Sequence, residues 1–345
     1  MTGKGKYPIN NILLVILGIL TDLFTYGVEQ RTYREIMANF TNHGNRTTYE
    51  EFYCYGVVDG KHQQAFILTL SIIISVTAFL GNALIIAALP KVSSLHSSSK
   101  LLLSCLVWSD LSVGLISEPL YITFLLSQDD VSLCYYFDII YTTTSVVFCG
   151  VSIQTITAIS VDRLLALSLG LRYRQIVTIR RVRVVLIMSW LFSIAASLTY
   201  LFNELLIHTS ITCIGLIICV AISTFCYTKI YLTLRRYHAQ VHDNIHEDPP
   251  SEGRTPLNMA RYRKTVSSVL WVQMSLVICY LPYGLVTILT TVLEMYPPSL
   301  DFLSELTFSL LMFNSSLNPI LYCWKITDVR QAAMETIRKC LHLSS

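Results

Sequence analysis

The chain has 345 residues, of which 53% are hydrophobic and only 14% charged. A soluble domain carries about 25% charged residues. Here no Lys or Arg occurs across 101–162, 184–228 or 265–324, which excludes a water-exposed fold for those stretches. A net charge of +3 gives no ground for nucleic-acid binding.

In chain order, the N-terminal tail, 1–62, holds one apolar run at 12–20, preceded by Lys4 and Lys6. The pattern suits a signal peptide, but no small-residue cleavage site follows, and a retained hydrophobic segment fits equally well. Asn39-Phe40-Thr41 and Asn45-Arg46-Thr47 have the form of glycosylation acceptors, so Asn39 and Asn45 are candidates for glycan. Asn314-Ser315-Ser316 has the same form but falls inside a predicted span and is expected unmodified.

A helix crosses the hydrocarbon core with about 20 apolar residues. Seven runs qualify: 65–89, 101–126, 135–167, 184–201, 205–234, 265–293 and 303–324. Each is longer than a barrel strand needs, and backbone groups in lipid must pair within their own segment, so each reads as a helix. The predicted fold is an all-α membrane protein: an extracellular tail (1–62), a seven-transmembrane helix bundle (63–326), and a short cytoplasmic amphipathic helix and tail (327–345).

The connections set its direction. Lys91 and Lys100 lie between spans one and two. Arg172, Arg174, Arg180, Arg181 and Arg183 lie between three and four, and Arg235, Arg236, Arg254, Arg261, Arg263 and Lys264 between five and six. The alternate connections, 128–133, 202–204 and 294–300, contain neither Lys nor Arg. Basic loops face the cytoplasm, so the N-terminus is expected outside and the C-terminus inside.

The tail 327–343 places Val329, Ala333, Ile337 and Leu341 on one face, which suits a helix lying along the inner membrane surface. Cys340 there is a palmitoylation candidate or an idle thiol. Cys105, Cys149, Cys219, Cys226 and Cys279 fall within spans and read as small core residues. Cys54 and Cys134 lie on the oxidising side, and a bridge between them is the hypothesis.

Polar residues inside a span are costly and ask for an explanation. They are Asn82 in span one, Asp110 in span two, Ser152 and Asp162-Arg163 in span three, and Asn314, Ser315 and Asn318 in span seven. One Asp among Asn and Ser side chains reads either as a small-cation site or as a hydrogen-bond network that only joins helices. Asp162-Arg163, at the inner end of its span, reads as a structural ion pair or as a charged latch. Pro119, Pro282 and Pro319 each remove a backbone hydrogen bond within a span and are expected to kink it.

These motifs together resemble the rhodopsin-like G-protein-coupled receptor family over about residues 65–341. The carriers are Gly81-Asn82, Leu106-Val107-Trp108-Ser109-Asp110, Ala158-Ile159-Ser160-Val161-Asp162-Arg163-Leu164, Trp190, Tyr227, Cys279-Tyr280-Leu281-Pro282 and Asn318-Pro319-Ile320-Leu321-Tyr322. The resemblance implies a plasma-membrane receptor, with no enzymatic activity, that passes extracellular ligand binding to a heterotrimeric G protein. It implies a sodium pocket of Asp110, Ser152, Asn314, Ser315 and Asn318, with sodium as an allosteric modulator and no other cofactor. Arg163 would be released from Asp162 on activation, with Tyr227 and Tyr322 swinging inward, while Tyr280, Pro282 and Pro319 belong to the moving helices. There are departures. Tyr280 stands where the family usually has Trp, Leu276 where Phe is common, Cys219 where Pro is typical, and the usual outer disulfide has no second Cys after span four. The pattern looks closest to the melanocortin, adenosine and cannabinoid-related cluster.

Ser145 occupies the position at which monoamine receptors carry Asp, so a peptide or lipid-like ligand is favoured over a monoamine. Met312 replaces the retinal-binding Lys and excludes a covalent photopigment. Glu118 and Asp138 could attract a basic ligand group or a divalent cation, but the expected reading is exposed interfacial carboxylates. The alternative function is an ion or solute transporter that uses the Asp110 cluster as a pathway.

Overall fold

The computed structural model describes residues 61–92, 96–202, 205–247, 274–290, 298–325 and 327–340. The chain divides into two units, Met1–Tyr53 and Cys54–Ser345, and every described residue belongs to the second. The apolar run at 12–20, Asn39, Asn45 and Cys54 lie outside the described residues.

Among the described residues there are helices and turns but no strand. Seven helices form the bundle. They are α1 (Lys61–Ala88), α2 (Ser97–Leu126), α3 (Val131–Leu169), α4 (Ile179–Leu201), α5 (Leu205–Glu247), α6 (Met274–Thr290) and α7 (Pro298–Lys325). An eighth, α8 (Thr327–Cys340), follows at the inner end. The helices α1 to α5 are long and apolar enough to cross a membrane by length and composition alone. Polar residues lower the apolar character of α7, and they are the residues that build the site below.

Local chemistry sets the helix ends. The Asp130 carboxylate accepts from the amides of Ser132 and Leu133 at 3.0 and 3.2 Å, capping α3, and the Thr178 hydroxyl caps α4 through the Arg181 amide at 3.4 Å. Gly170 ends α3 at φ +51°, a backbone conformation that costs a side chain dearly.

The bundle packs around α3, which touches α2, α4 and α5, while α1 lies against α2, α7 and α8. The apolar core has a middle layer around Leu106, Ile153, Leu276 and Met312, an outer layer around Tyr121, Phe124 and Leu125, and an inner layer that includes Ile85, Leu103 and Val329. Phe66, Ile73, Leu80, Val184, Ile187 and Ile218 stay exposed on the outside. Water would penalise so broad an apolar surface, whereas lipid does not.

Two prolines shape the helices that carry the site. Pro319 in α7 has no N–H to return to the Ser315 carbonyl one turn earlier. Asn82 of α1 supplies the missing donor, its Nδ2 reaching that carbonyl at 3.0 Å. Gly81 makes the approach possible, because a Cβ there would sit 3.0 Å from the Pro319 ring. The adjacent Gly-Asn pair thus serves one purpose: glycine admits the ring and asparagine replaces the lost hydrogen bond.

Pro119 acts differently from the simple kink expected of it. The turn before it, Val113–Ser117, is π-helical, with the Glu118 N–H bonded to the Val113 carbonyl. In that register Pro119 would pair with the Gly114 carbonyl, and the Ser75 hydroxyl of α1 donates there instead at 2.8 Å. At about 100° per residue an uninterrupted α-helix would leave Glu118 about 80° away from the face of Asp110. The wider π turn rotates less per residue and recovers most of that angle.

The face predicted for α8 is used on the bundle more than on the membrane surface: Val329 and Ala333 are buried in the inner layer, whereas Ile337 is exposed. Glu335 of α8 bonds Lys339 at 2.9 Å and faces Lys91 at 3.9 Å. The hydrogen bond from Lys339, and then the two positive charges, hold its carboxyl below the usual range.

Gly114 offers a direct test of this architecture. A Cβ there would meet the Phe79 amide nitrogen at 2.6 Å and the Ser75 carbonyl oxygen at 2.9 Å, both backbone atoms that cannot yield cheaply. Gly114→Val is expected to destabilise the bundle by about 1–3 kcal/mol, read as a lower unfolding midpoint of purified protein, while Gly215→Ala, where the nearest atom is 3.7 Å away, leaves the midpoint near wild type.

Candidate functional site

The polar residues gather at three depths. In the middle of the bundle, Asp110 is fully buried and is the point where α2, α3 and α7 meet. Ser152 of α3 donates to its Oδ1 at 2.8 Å, Ser315 of α7 donates to the same oxygen at 3.0 Å, and the Asn318 amide donates to Oδ2 at 2.7 Å. Three donors on one carboxylate satisfy a group that would otherwise be intolerable in a dry interior. Asn314 does not touch Asp110 directly. Its Nδ2 reaches the Tyr280 hydroxyl of α6 at 3.4 Å, so Tyr280, which replaces the usual Trp, links the sixth span to the cluster through a phenol. All five residues named from the sequence therefore lie in one connected neighbourhood, with Asn314 at its edge.

At the inner end of α3, Asp162 is 3% exposed and Arg163 47%. The expected ion pair is long, 3.8 Å from Arg163 Nη2 to Asp162 Oδ2. Asp162 is held more closely by two hydroxyls: Ser99 of α2 donates to Oδ2 at 2.8 Å, and Tyr173, in the turn after α3, donates to Oδ1 at 2.5 Å. Burial, then the bond to Asp162, pushes the Tyr173 hydroxyl above its ordinary range, which keeps it a donor. The arrangement is a carboxylate locked to neighbouring elements with a guanidinium left half-open beside it. Tyr227 is buried within electrostatic reach of Arg163 and Tyr322. Pro319 is buried and Pro282 partly so.

At the outer end, the expectation of exposed interfacial carboxylates is overturned: Glu118 is 1% and Asp138 4% exposed. The π turn carries Glu118 inward, and Asp138 is covered by α4, whose Tyr200 hydroxyl donates to it. Ser145 is buried too, its hydroxyl without a hydrogen-bond partner. The Tyr121 hydroxyl of α2 donates to Glu305 of α7.

Sequence reasoning missed Ser99, Tyr173, Tyr121 and Glu305. The first three carry no local signal, because their contacts form only across helices. Glu305 did carry one: it is an acidic residue inside the predicted seventh span, the same feature that singled out Asp110.

Cys134 is disulfide-bonded, and its expected partner Cys54 lies outside the described residues. Cys105, Cys149, Cys213, Cys219, Cys226, Cys279 and Cys323 are free thiols. The surroundings of Cys340 also lie outside what is described.

The family model described as 7 transmembrane receptor (rhodopsin family) matches residues 81–209 and 203–322. Among curated proteins, the adenosine receptor A3 of Ovis aries is 24% identical over 299 residues, covering 79% of this chain and 90% of the relative. The trace amine-associated receptor 9 of Rattus norvegicus is 23% identical over 285 residues, covering 74% and 82%. The adenosine receptor A2b of Gallus gallus is 32% identical over a shorter stretch, 133 residues or 38% of each chain. The adenosine part of the expected cluster is thus matched by name, and trace amine-associated receptors match at a similar level.

The two donors on Asp162 make the inner end testable. Tyr173→Phe removes one hydrogen bond without removing the ring and is expected to cost about 1 kcal/mol, with Ser99→Ala costing a similar amount. A double-mutant cycle read by unfolding midpoint should give a non-additive sum, since both serve one carboxylate.

Proposed function

This chain belongs to the rhodopsin family of seven-transmembrane receptors, and from that membership we propose a working cycle for its three polar layers. It is a multi-pass membrane receptor, not an enzyme, and it signals through G proteins; the relatives named above are receptors, and the transporter reading finds no support in them. We assign it to the plasma membrane with its N-terminus outside, on the strength of the basic inner connections.

The ligand enters from the outside into the half of the bundle beneath Asp138 and Glu305. With Ser145 where monoamine receptors carry Asp, the favoured ligand is peptide-like or lipid-like. The inner face, with half-open Arg163 beside a locked Asp162, receives the G protein. An agonist acts only by binding the open-inside arrangement more tightly than the closed one.

The Asp110 cluster fits sodium. Its ligands would be hard oxygens, one carboxylate to match one positive charge and the Ser152 and Ser315 hydroxyl oxygens beside it, with Asn318 facing the carboxylate through its amide nitrogen and Asn314 at the edge. Among the described residues no group of three acidic, His or Cys side chains could hold a more highly charged metal. A bound sodium supplies positive charge that ties α2, α3 and α7 together in the closed arrangement. The observation that carries this reading is the convergence of three helices on one fully buried carboxylate.

Nucleotide exchange on a panel of purified G proteins tests it. Agonist-free exchange is expected to fall when sodium replaces choline in the buffer. Asp110→Asn should flatten that dependence, with a coupling of roughly 5–150-fold at stake. Arg163→Ala should bring exchange to background in both salts. Exchange by Arg163→Ala equal to wild type, or a sodium effect unchanged in Asp110→Asn, refutes the corresponding part of the proposal.

A further inference from the structure

The inner ends of α1 and α2 flank a cavity of about 370 Å³, and none of its lining residues belongs to the three polar layers. Ile86, Leu89 and Pro90 form one wall; Lys100, Ser104 and Trp108 form the other. The second set recurs every four residues and so shares one face of α2. From Lys100 to Trp108 the helix rises roughly 12 Å, close to the depth of one leaflet in a hydrocarbon core about 30 Å thick. The cavity is therefore a groove that runs from the inner interface toward the middle of the membrane. At its deep end Trp108 is 55% exposed, although tryptophan favours the interface.

The two lysines at the inner ends of these helices differ in their partners. Lys91 faces Glu335 of α8 at 3.9 Å and donates to the Thr336 hydroxyl at 2.8 Å. Lys100 donates to the Val92 and Pro90 carbonyls at 3.0 and 3.4 Å, and among the described residues no carboxylate lies within ion-pair distance of it. An ammonium has three protons to give. Two carbonyls orient it but leave its charge whole. Lys100 also stands in the first turn of α2, where the helix dipole adds positive potential and no acidic residue offsets it.

A cation at the mouth and an apolar wall two turns deep select the occupant between them. A soluble phosphate suits the ammonium but gains nothing from the wall. A sterol suits the wall but brings no negative charge. A zwitterionic phospholipid carries its own cation beside its phosphate. A phospholipid with a net negative headgroup satisfies both ends, and the cytoplasmic leaflet is where such lipids collect.

We propose that the groove between α1 and α2 binds one anionic phospholipid of the cytoplasmic leaflet, with its phosphate on Lys100 and an acyl chain along Ile86, Leu89 and Trp108. The lipid supplies the counter-charge that Glu335 supplies to Lys91, and it covers an aromatic ring that the bundle leaves open. Neither sodium nor a G protein enters this binding, so it stands or falls apart from the working cycle above.

The test places the full chain in nanodiscs of phosphatidylcholine doped with a lipid whose acyl chains carry bromine, a contact quencher of tryptophan fluorescence. Quenching of Trp108 is read as the difference between wild type and Trp108→Phe. Brominated phosphatidylglycerol is expected to reach half-quenching at a mole fraction about fivefold lower than brominated phosphatidylcholine. Lys100→Gln keeps a donor for the Val92 carbonyl and loses the charge, and it should bring the two lipids level. Lys100→Arg and, on α8, Lys339→Gln should keep the preference. Ser104→Phe fills the groove with Lys100 still in place and should abolish it. Unlabelled phosphatidylglycerol should reverse the quenching, whereas glycerol 3-phosphate and cholesterol should not. Equal quenching by the two lipids in wild type, a preference that survives Lys100→Gln or Ser104→Phe, or reversal by glycerol 3-phosphate or cholesterol as readily as by phosphatidylglycerol overturns the proposal.

Discussion

A polar group that loses its partner inside a bilayer has no water to turn to, and most of this structure follows from that. The carbonyl freed by Pro319 is taken by Asn82, and the carbonyl left by Pro119 is taken by Ser75. Asp110 is surrounded by a serine from α3 and a serine and asparagine from α7. In each case the compensating side chain comes from a different helix, so satisfying the backbone or the carboxylate also fixes how two helices sit against each other. Apolar packing alone would specify those positions poorly, because lipid tails are as apolar as leucine.

The same constraint is met to different degrees along the bundle. Where the protein needs rigidity, donors and acceptors are matched, as at Asp110 and Asp162. At the outer end the matching is looser: the Glu118 carboxylate is sealed beside the Ser71 hydroxyl with no donor at ordinary hydrogen-bond distance. The two regions are close: the middle apolar layer connects them, and Cys149 on α3 meets Met312 on α7 there at 3.5 Å. The Tyr280 hydroxyl joins α6 to the middle cluster by accepting a hydrogen bond from the Asn314 amide.

Much of this was legible in the chain itself. Stretches without Lys or Arg marked the spans because charge is excluded from lipid, and the basic connections marked a side. Asp110 and its partners could be named because each is an isolated polar residue where polarity is costly. Other features were not legible for identifiable reasons. Pro119 announced a disturbed helix but not a change of register, so Glu118 was assigned to the surface. Glu305 sits close to the end of its span, where a carboxylate passes for interfacial. Tyr173 and Ser99 reach Asp162 only through the fold, and a tyrosine in a polar connection carries no mark of that. The N-terminal tail, its glycosylation acceptors and Cys54 lie beyond the residues described.

The π turn in α2 acts as a phase shifter between the two halves of one helix. Residues before it present Asp110 to the middle network, and residues after it present Glu118 and Tyr121 to the outer layer. Loss of one residue from 113–117 would let the helix revert to regular winding and leave Glu118 seven residues after Asp110, only about 20° from its face. The acid and the phenol of the outer layer would then keep their direction. The wide turn therefore stores one spare residue in α2, and a single-codon deletion there would leave the faces of both halves in place.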